Sequence, residues 1–277
     1  MDSTQAVVQG LVEGLTEFLP ISSTAHLRLV PALLGWPDTG AAFGAVIQLG
    51  ALVAVILYFA RDLLGITLAT VKAPFNPAAR ASLEARLGLY VIVGTIPVGV
   101  AGLLLKHQIE GDLRSLWVIA CALIGLALVL LWAERSARHT RTLAELRLTD
   151  AFIIGCAQAI ALMPGASRSG VTLTAALLLG MRRDDAARFS FLLSIPALGA
   201  AGVFELGDLK RAIDAHVLST SHAILGTAVA CVSALVAIAW LMRFLRTRST
   251  LIFVGYRIVL GLVLIALLAT GHLTAFD

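Results

Sequence analysis

Eight long apolar stretches follow one another along this chain, and two of them are broken near their middles by proline, which confines the fold to helices in a bilayer. A crossing helix needs about 20 mostly apolar residues. Stretches 41–59, 87–105, 116–133, 223–242 and 251–270 meet that length, the last with Arg257 inside it. A sixth, 189–204, is shorter and closely bounded by Asp184, Asp185, Arg188 and Glu205. The broken stretches are 5–35, interrupted at Pro20, and 150–181, interrupted at Pro164-Gly165. Each of their halves is too short to cross, so both read as re-entrant hairpins, whose broken backbone is tolerated only where protein or a polar cavity surrounds it. Composition agrees: only 14% of the 277 residues are charged, against about 25% in soluble domains. The expected fold is an all-α polytopic membrane protein of six transmembrane helices and two re-entrant helical hairpins.

Hairpin, three spans, hairpin, three spans is an odd number of crossings repeated, so the second copy must run upside down. That is the inverted-repeat plan of many membrane proteins, here within one membrane domain, 1–277, divided into 1–147 and 148–277. Weak echoes accompany it: PISS at 20–23 against PGAS at 164–167, and FGAVIQLGAL at 43–52 against FSFLLSIPAL at 189–198. In the longer echo Gln48 and Ser194 coincide and read as packing groups between helices.

Basic residues orient the chain. One side collects Arg61, Lys72, Arg80, Arg86, Arg135, Arg138, Arg141, Arg147, Arg182, Arg183, Arg188, Arg243, Arg246 and Arg248, whereas the other has Arg28, Lys106, Arg114, Lys210 and Arg211. Positive loops stay cytoplasmic, which puts both termini outside, with hairpin one entering from outside and hairpin two from the cytoplasm, their tips meeting near the midplane. The same asymmetry accounts for the formal charge of +4 without a nucleic-acid partner. Cys121, Cys156 and Cys231 lack metal-ligand spacing and read as small buried apolar residues. The start of the chain lacks the pattern of a cleavable signal, so insertion is expected to use the internal spans. Gly94, Gly99, Gly102 and the 155–165 region permit close helix contact, within one chain or in a homodimer.

Hairpin one carries Glu13 and Glu17, four residues apart and therefore on one helix face. A charge at mid-bilayer costs about 2.5–3.5 kcal/mol on the insertion scale, and neighbouring carboxylates repel unless a proton or cation lies between them. They form a candidate site for a divalent cation or a proton. Beyond Pro20, Ser22, Ser23 and Thr24 stand where a returning helix would be capped. His26, three residues past Ser23, puts imidazole and hydroxyl on one face, as nucleophile and base or as base and ligand.

Hairpin two carries PGASRSGVT at 164–172. Gly165, Ser167 and Gly170 allow backbone N–H groups to converge at a helix start, a geometry that binds anions. Arg168 adds a charged fork suited to phosphate, Ser169 adds a hydroxyl, and Thr172 follows one turn later. Carboxylates, hydroxyls and imidazole on one hairpin and an anion nest with Arg on the other together describe phosphoryl transfer. A secondary transporter or lipid flippase is the alternative, since such proteins also place sites between broken helices. The SRxxxxxHxxxD signature of the other large class of membrane lipid phosphatases is absent after Ser167-Arg168.

EGLTEFLPISSTAH at 13–26 and PGASRSGVT at 164–172, with the chain length and the order of spans, closely resemble the undecaprenyl-diphosphate phosphatase family of the bacitracin-resistance type. The resemblance implies a bacterial inner-membrane enzyme that hydrolyses undecaprenyl diphosphate, with a divalent cation, Mg²⁺ or Ca²⁺, and a site open to the periplasm. It implies Glu13 and Glu17 as the acidic, metal-binding pair, and Ser23 and His26 as catalytic. It implies Ser167, Arg168 and Thr172 as the phosphate-binding motif, where Gly165 and Ser169 also stand. Whether Ser23, His26 or water attacks is open at this level.

Overall fold

The computed structural model of the chain describes residues 1–36, 40–105, 115–214 and 218–275. The side chains at 40–42, 204–206, 208–210 and 212–214 lie outside that description. Lys106 and Arg114, counted above by side, fall outside the described residues, as do the side chains of Glu205 and Lys210.

The described residues form helices α1 (Ser3–Glu17), α2 (Ser23–Leu34), α3 (Gly40–Tyr58), α4 (Ala60–Lys72), α5 (Pro77–Ala81), α6 (Leu83–Leu104) and α7 (Leu116–Ser136). After a single 3-10 turn at Leu143–Glu145 come α8 (Leu148–Ile160), α9 (Arg168–Leu178), α10 (Arg183–Asp214), α11 (Thr220–Phe244) and α12 (Leu251–Ala269). Five of them, α6, α7, α10, α11 and α12, are long and apolar enough to cross a membrane. The pair Phe43–Tyr58 and Ala60–Lys72 is long and apolar enough for a sixth only when taken as one broken span. The two stretches expected as hairpins fold as the helix pairs α1–α2 and α8–α9.

Two elements differ from expectation. The stretch 189–204 is the middle of a much longer helix, α10, which begins at Arg183. The charges before 189 do not bound it, because they lie in its first turns and find partners: Arg183 pairs with Glu134, and Arg188 with Asp62 at 2.8 Å. Helix α4 was not anticipated, since Arg61-Asp62 and a drop in hydropathy follow α3. It turns 77° away from its predecessor. One side, through Leu63 and Ile66, packs on the core, while Leu64, Leu68 and Val71 stay exposed on the other.

Small residues let the helices approach. A Cβ at Gly155 on α8 would stand 2.7 Å from the Gly94 Cα on α6. At Gly10 on α1 a Cβ would stand 3.2 Å from the Gly226 Cα on α11. The closeness expected of Gly94 and Gly155 is thus used within the chain. Helix α9 sits at the centre, with every residue from Ser169 to Leu177 buried. Outward faces are apolar, with Leu103, Val232 and Ile252 all exposed, the reverse of a soluble surface. The cysteines share those faces: Cys121 and Cys156 are exposed and Cys231 half-buried. The expectation that they are buried is corrected, for a thiol is as compatible with lipid as with a core.

Loops gather by charge. At one end Glu134 takes Arg183 and the Thr250 hydroxyl (2.8 Å), Arg141 pairs with Asp150 (2.5 Å), and Arg86 donates to the Ala144 carbonyl (3.4 Å). At the opposite end Ser3 meets His222 (3.3 Å), and the Leu116 amide donates to the Ala275 carbonyl (2.7 Å).

Candidate active site

Both hairpins break in the same way. Asp2 starts α1 with a capping box, its carboxylate accepting the Gln5 amide at 2.8 Å. Then α1 ends at Glu17 and the chain turns through Phe18–Ser22. Ser22 precedes α2 with φ 75° and ψ 98°; Ser167 precedes α9 with φ 67° and ψ 109°. Such backbone costs a non-glycine residue on the order of 1–3 kcal/mol and is retained where the surroundings impose it. Gly165, with φ 86°, meets the same demand at lower cost. The paired caps place Ser22 opposite Ser167, one residue away from the register suggested by PISS and PGAS.

The tips interlock. Arg168 donates to Oε1 of Glu17, the Ser169 hydroxyl to the Leu19 carbonyl (2.9 Å), and the Gly165 amide to the Thr24 hydroxyl (3.3 Å). Glu17 receives the Ser23 hydroxyl on its other oxygen, Oε2. One buried carboxylate therefore holds a hydroxyl of its own hairpin and a guanidinium of the other. Glu13, one turn back, is buried, and its Oε1 has no hydrogen-bond partner.

The imidazole lies differently from expectation. His26 Nδ1 is 2.7 Å from the Ser22 carbonyl and Nε2 is 2.6 Å from the Tyr256 hydroxyl, so neither ring nitrogen bonds Ser23. The helical spacing of Ser23 and His26 does bring them to one face, but Ser23 turns to Glu17. Tyr256 was missed. Its partner is 230 residues away, and nothing in its local sequence marks it.

The anion nest also needs correction. The Gly165 amide is taken by Thr24, and the Gly170 amide by the Ser167 hydroxyl at 3.2 Å. The amides of Ser167, Arg168 and Ser169 remain without an acceptor among the described residues. Thr172 is fully buried and spends its hydroxyl on the Arg168 carbonyl (2.8 Å) and on Ser190 (2.5 Å). It braces α9 against α10 behind the tip. Ser194 is likewise internal, donating to the Phe191 carbonyl at 2.7 Å.

Arg257, given no role from sequence, underpins the tip. Its guanidinium is fully buried and donates to the carbonyls of Leu123 (3.2 Å), Ala122 (3.2 Å), Gly165 (3.3 Å) and Ala166 (3.1 Å). These carbonyls disperse a charge that would otherwise be prohibitive to bury, and they bind hairpin two to α7 and α12. An apolar groove of about 430 Å³, lined by Trp117, Cys121, Ala122 and Met163 among others, opens beside that tip.

A family model for the bacitracin resistance protein BacA matches residues 6–263 of the chain. The chain belongs to the BacA family. Among curated BacA-like relatives, the undecaprenyl-diphosphatase of Myxococcus xanthus is 55% identical over 275 residues, covering 99% of this chain and 92% of its own. That of Chlorobaculum tepidum is 48% identical, covering 99% of both chains, and that of Chloroherpeton thalassium 49%, covering all of both. Residues 6–263 include Glu13, Glu17, Ser23, His26, Arg168 and Tyr256.

Do the residues fit a divalent cation? The described residues contain no cluster of three or more His, Cys, Asp and Glu side chains. A hard cation bound beside phosphate needs no such cluster, because one or two carboxylates suffice when water and phosphate oxygens complete its shell. Glu13, with an unpartnered oxygen in a buried position, fits that pattern, and Glu17 lies one turn away.

Proposed function

We infer that the chain is an undecaprenyl-diphosphate phosphatase, which hydrolyses undecaprenyl diphosphate to undecaprenyl phosphate and inorganic phosphate and so recycles the lipid carrier of cell-wall synthesis. That reaction underlies bacitracin resistance. The observation that carries this reading is the convergence of Ser23 and Arg168 on Glu17 where the hairpins meet, beside the free amides of Ser167, Arg168 and Ser169.

Phosphoryl transfer asks mainly for positioning and charge neutralisation. The first turn of α9 and the Arg168 guanidinium supply donors for the phosphoryl oxygens. Ser23 Oγ attacks the terminal phosphorus, Glu17 accepts its proton, and the bridging P–O bond breaks to release undecaprenyl phosphate. Water then cleaves the phosphoserine, exchanging with the Tyr256 hydroxyl at His26 Nε2 so that the imidazole takes its proton, while Glu17 returns the first proton to Ser23 Oγ. The Ser23–Glu17 hydrogen bond favours this hydroxyl route over direct attack by His26 or by water. Glu13 and Glu17 would hold Mg²⁺ or Ca²⁺, which when bound neutralises charge on the diphosphate. Serine 167 and Ser169 orient the tip, while Gly165 and Thr172 shape it from behind. The polyprenyl tail stays in lipid, along the apolar groove beside Met163.

The basic end faces the cytoplasm of a bacterial inner membrane under the positive-inside rule, so both termini and the site open toward the periplasm. The twin strained caps at Ser22 and Ser167 support inverted halves, 1–147 and 148–277. The test is phosphate release from undecaprenyl diphosphate by purified protein in detergent, with and without EDTA, beside Glu17→Gln and Arg168→Ala. Metal-dependent release lost in both variants is expected; none from folded wild type under any divalent cation would overturn the reading. Trapped phosphate on a residue other than Ser23 would overturn the hydroxyl route.

A further inference from the structure

His26 has a neighbour that no motif announces. Tyr256, on α12, meets it in two ways: its hydroxyl is 2.6 Å from Nε2, and the two rings stack with centroids 5.6 Å apart and planes 9° from parallel. The opposite ring nitrogen, Nδ1, lies 2.7 Å from the Ser22 carbonyl. A carbonyl can only accept, so Nδ1 carries a proton. Both partners are uncharged, and in a neutral ring Nε2 must then be the acceptor, with the Tyr256 O–H donating to it. Carbonyl, phenol and stacked ring together fix the tautomer and the plane of the imidazole.

We propose that Tyr256 is a positioning residue for the phosphatase reaction: the Ser22 carbonyl fixes the Nδ1–H tautomer of His26, and the Tyr256 hydroxyl and ring hold the imidazole plane and keep the Nε2 lone pair in place until the attacking water replaces the phenol. The inference rests on the phosphatase reading for its kinetic consequence but not for its structural one. Ser22, the carbonyl partner, is the N-cap of α2, and its carbonyl also accepts the His26 backbone amide at 3.4 Å. Tyr256 is adjacent to Arg257, which secures the Gly165 and Ala166 carbonyls of hairpin two. Two consecutive residues of one helix thereby register both hairpins: Tyr256 through the imidazole of the first, Arg257 through the tip of the second. Tyr256 is 44% exposed on the outer face. Overall packing alone does not require its hydroxyl to face inward.

The experiment compares wild type with Tyr256→Phe, which keeps the stacked ring and removes the donor, and Tyr256→Leu, which removes both. In Tyr256→Phe, kcat for undecaprenyl diphosphate is expected to fall about 10- to 100-fold, the range seen when a partner orienting a functional imidazole is lost, with KM changed less than about twofold. Imidazole nitrogen NMR of histidine-labelled protein, with the His26 signal identified by its loss in His26→Gln, should show a single Nδ1–H tautomer in wild type. In Tyr256→Phe the Nδ1–H tautomer should persist, because the Ser22 carbonyl still takes that proton, while the Nε2 signal moves as its hydrogen bond from the phenol is lost. An Nε2–H tautomer in wild type overturns the proposal, as does a Tyr256→Phe enzyme with wild-type kcat. Because the NMR signature needs no turnover, absence of phosphate release would sink the phosphatase reading while still leaving the tautomer assignment to be judged.

Discussion

Arg168 reaches Glu17 across 151 positions of sequence and ties the tip of one hairpin to the end of the other hairpin's first helix. Both side chains are largely buried, at 15% and 5% exposure. Removing one member of such a pair strands the other charge, at a cost of about 3–5 kcal/mol.

Arg168→Ala should therefore lose stability of that order and at least about 100-fold in phosphate release, as expected for a donor to a developing phosphoryl charge. The double variant Arg168→Ala/Glu17→Gln should regain part of the stability and none of the activity. Denaturation in detergent beside kinetics checks this; strictly additive stability losses would count against coupling between the two hairpins.

Glu13 should separate cation affinity from folding. Its unpartnered oxygen predicts that Glu13→Gln raises the Mg²⁺ or Mn²⁺ concentration for half-maximal activity while preserving the fold, because a neutral amide replaces a carboxylate of the same shape. Mn²⁺ binding followed by electron paramagnetic resonance checks it without turnover. Unchanged binding would remove Glu13 from the metal site.

Arg257→Met should loosen the hairpin-two tip. The Gly165 and Ala166 carbonyls lose their charged donor, and each left unsatisfied in a buried position costs about 1–3 kcal/mol; those of Ala122 and Leu123 keep their bonds within α7. Hydrogen exchange at residues 163–167 is expected to accelerate, with kcat falling in parallel. Exchange at wild-type rates would show that the tip holds without it.

Gly155→Val should push α8 off α6, since even a Cβ would stand 2.7 Å from the Gly94 Cα. Gly99→Ala, where nothing lies within 4 Å, should change the melting temperature by little. Equal effects in the two variants would mean that helix contact at Gly94 does not limit stability.

The residues by themselves determined the solvent, the helices and most of the polar groups that gather at the candidate site. Apolar stretches of crossing length can satisfy their backbone in lipid only as helices, and Pro20 and Pro164-Gly165 marked where 5–35 and 150–181 turn, although Pro97 and Pro196 stay inside α6 and α10. Charges inside such segments stand out for the same reason, so Glu13, Glu17 and Arg168 were legible. Polar groups that stay close to home in sequence were legible too, as with Ser23 and His26 on one helix face.

Partnership was decided only by tertiary structure. Hydroxyls have several acceptors within reach, and packing chose Glu17 for Ser23, Ser190 for Thr172 and Leu19 for Ser169. Tyr256 and Arg257 gained roles because α12 lies beside both hairpins, a proximity that no local pattern encodes. The extent of α10 was hidden because hydropathy counts Asp184, Asp185 and Arg188 as interruptions, whereas partners such as Glu134 and Asp62 make a charged first turn tolerable. Helix α4 was hidden because its apolar residues divide between the core and an exposed face, leaving no single hydrophobic run to detect. Periodicity reports what one helix can bury; which groups meet depends on how helices far apart in the chain pack together.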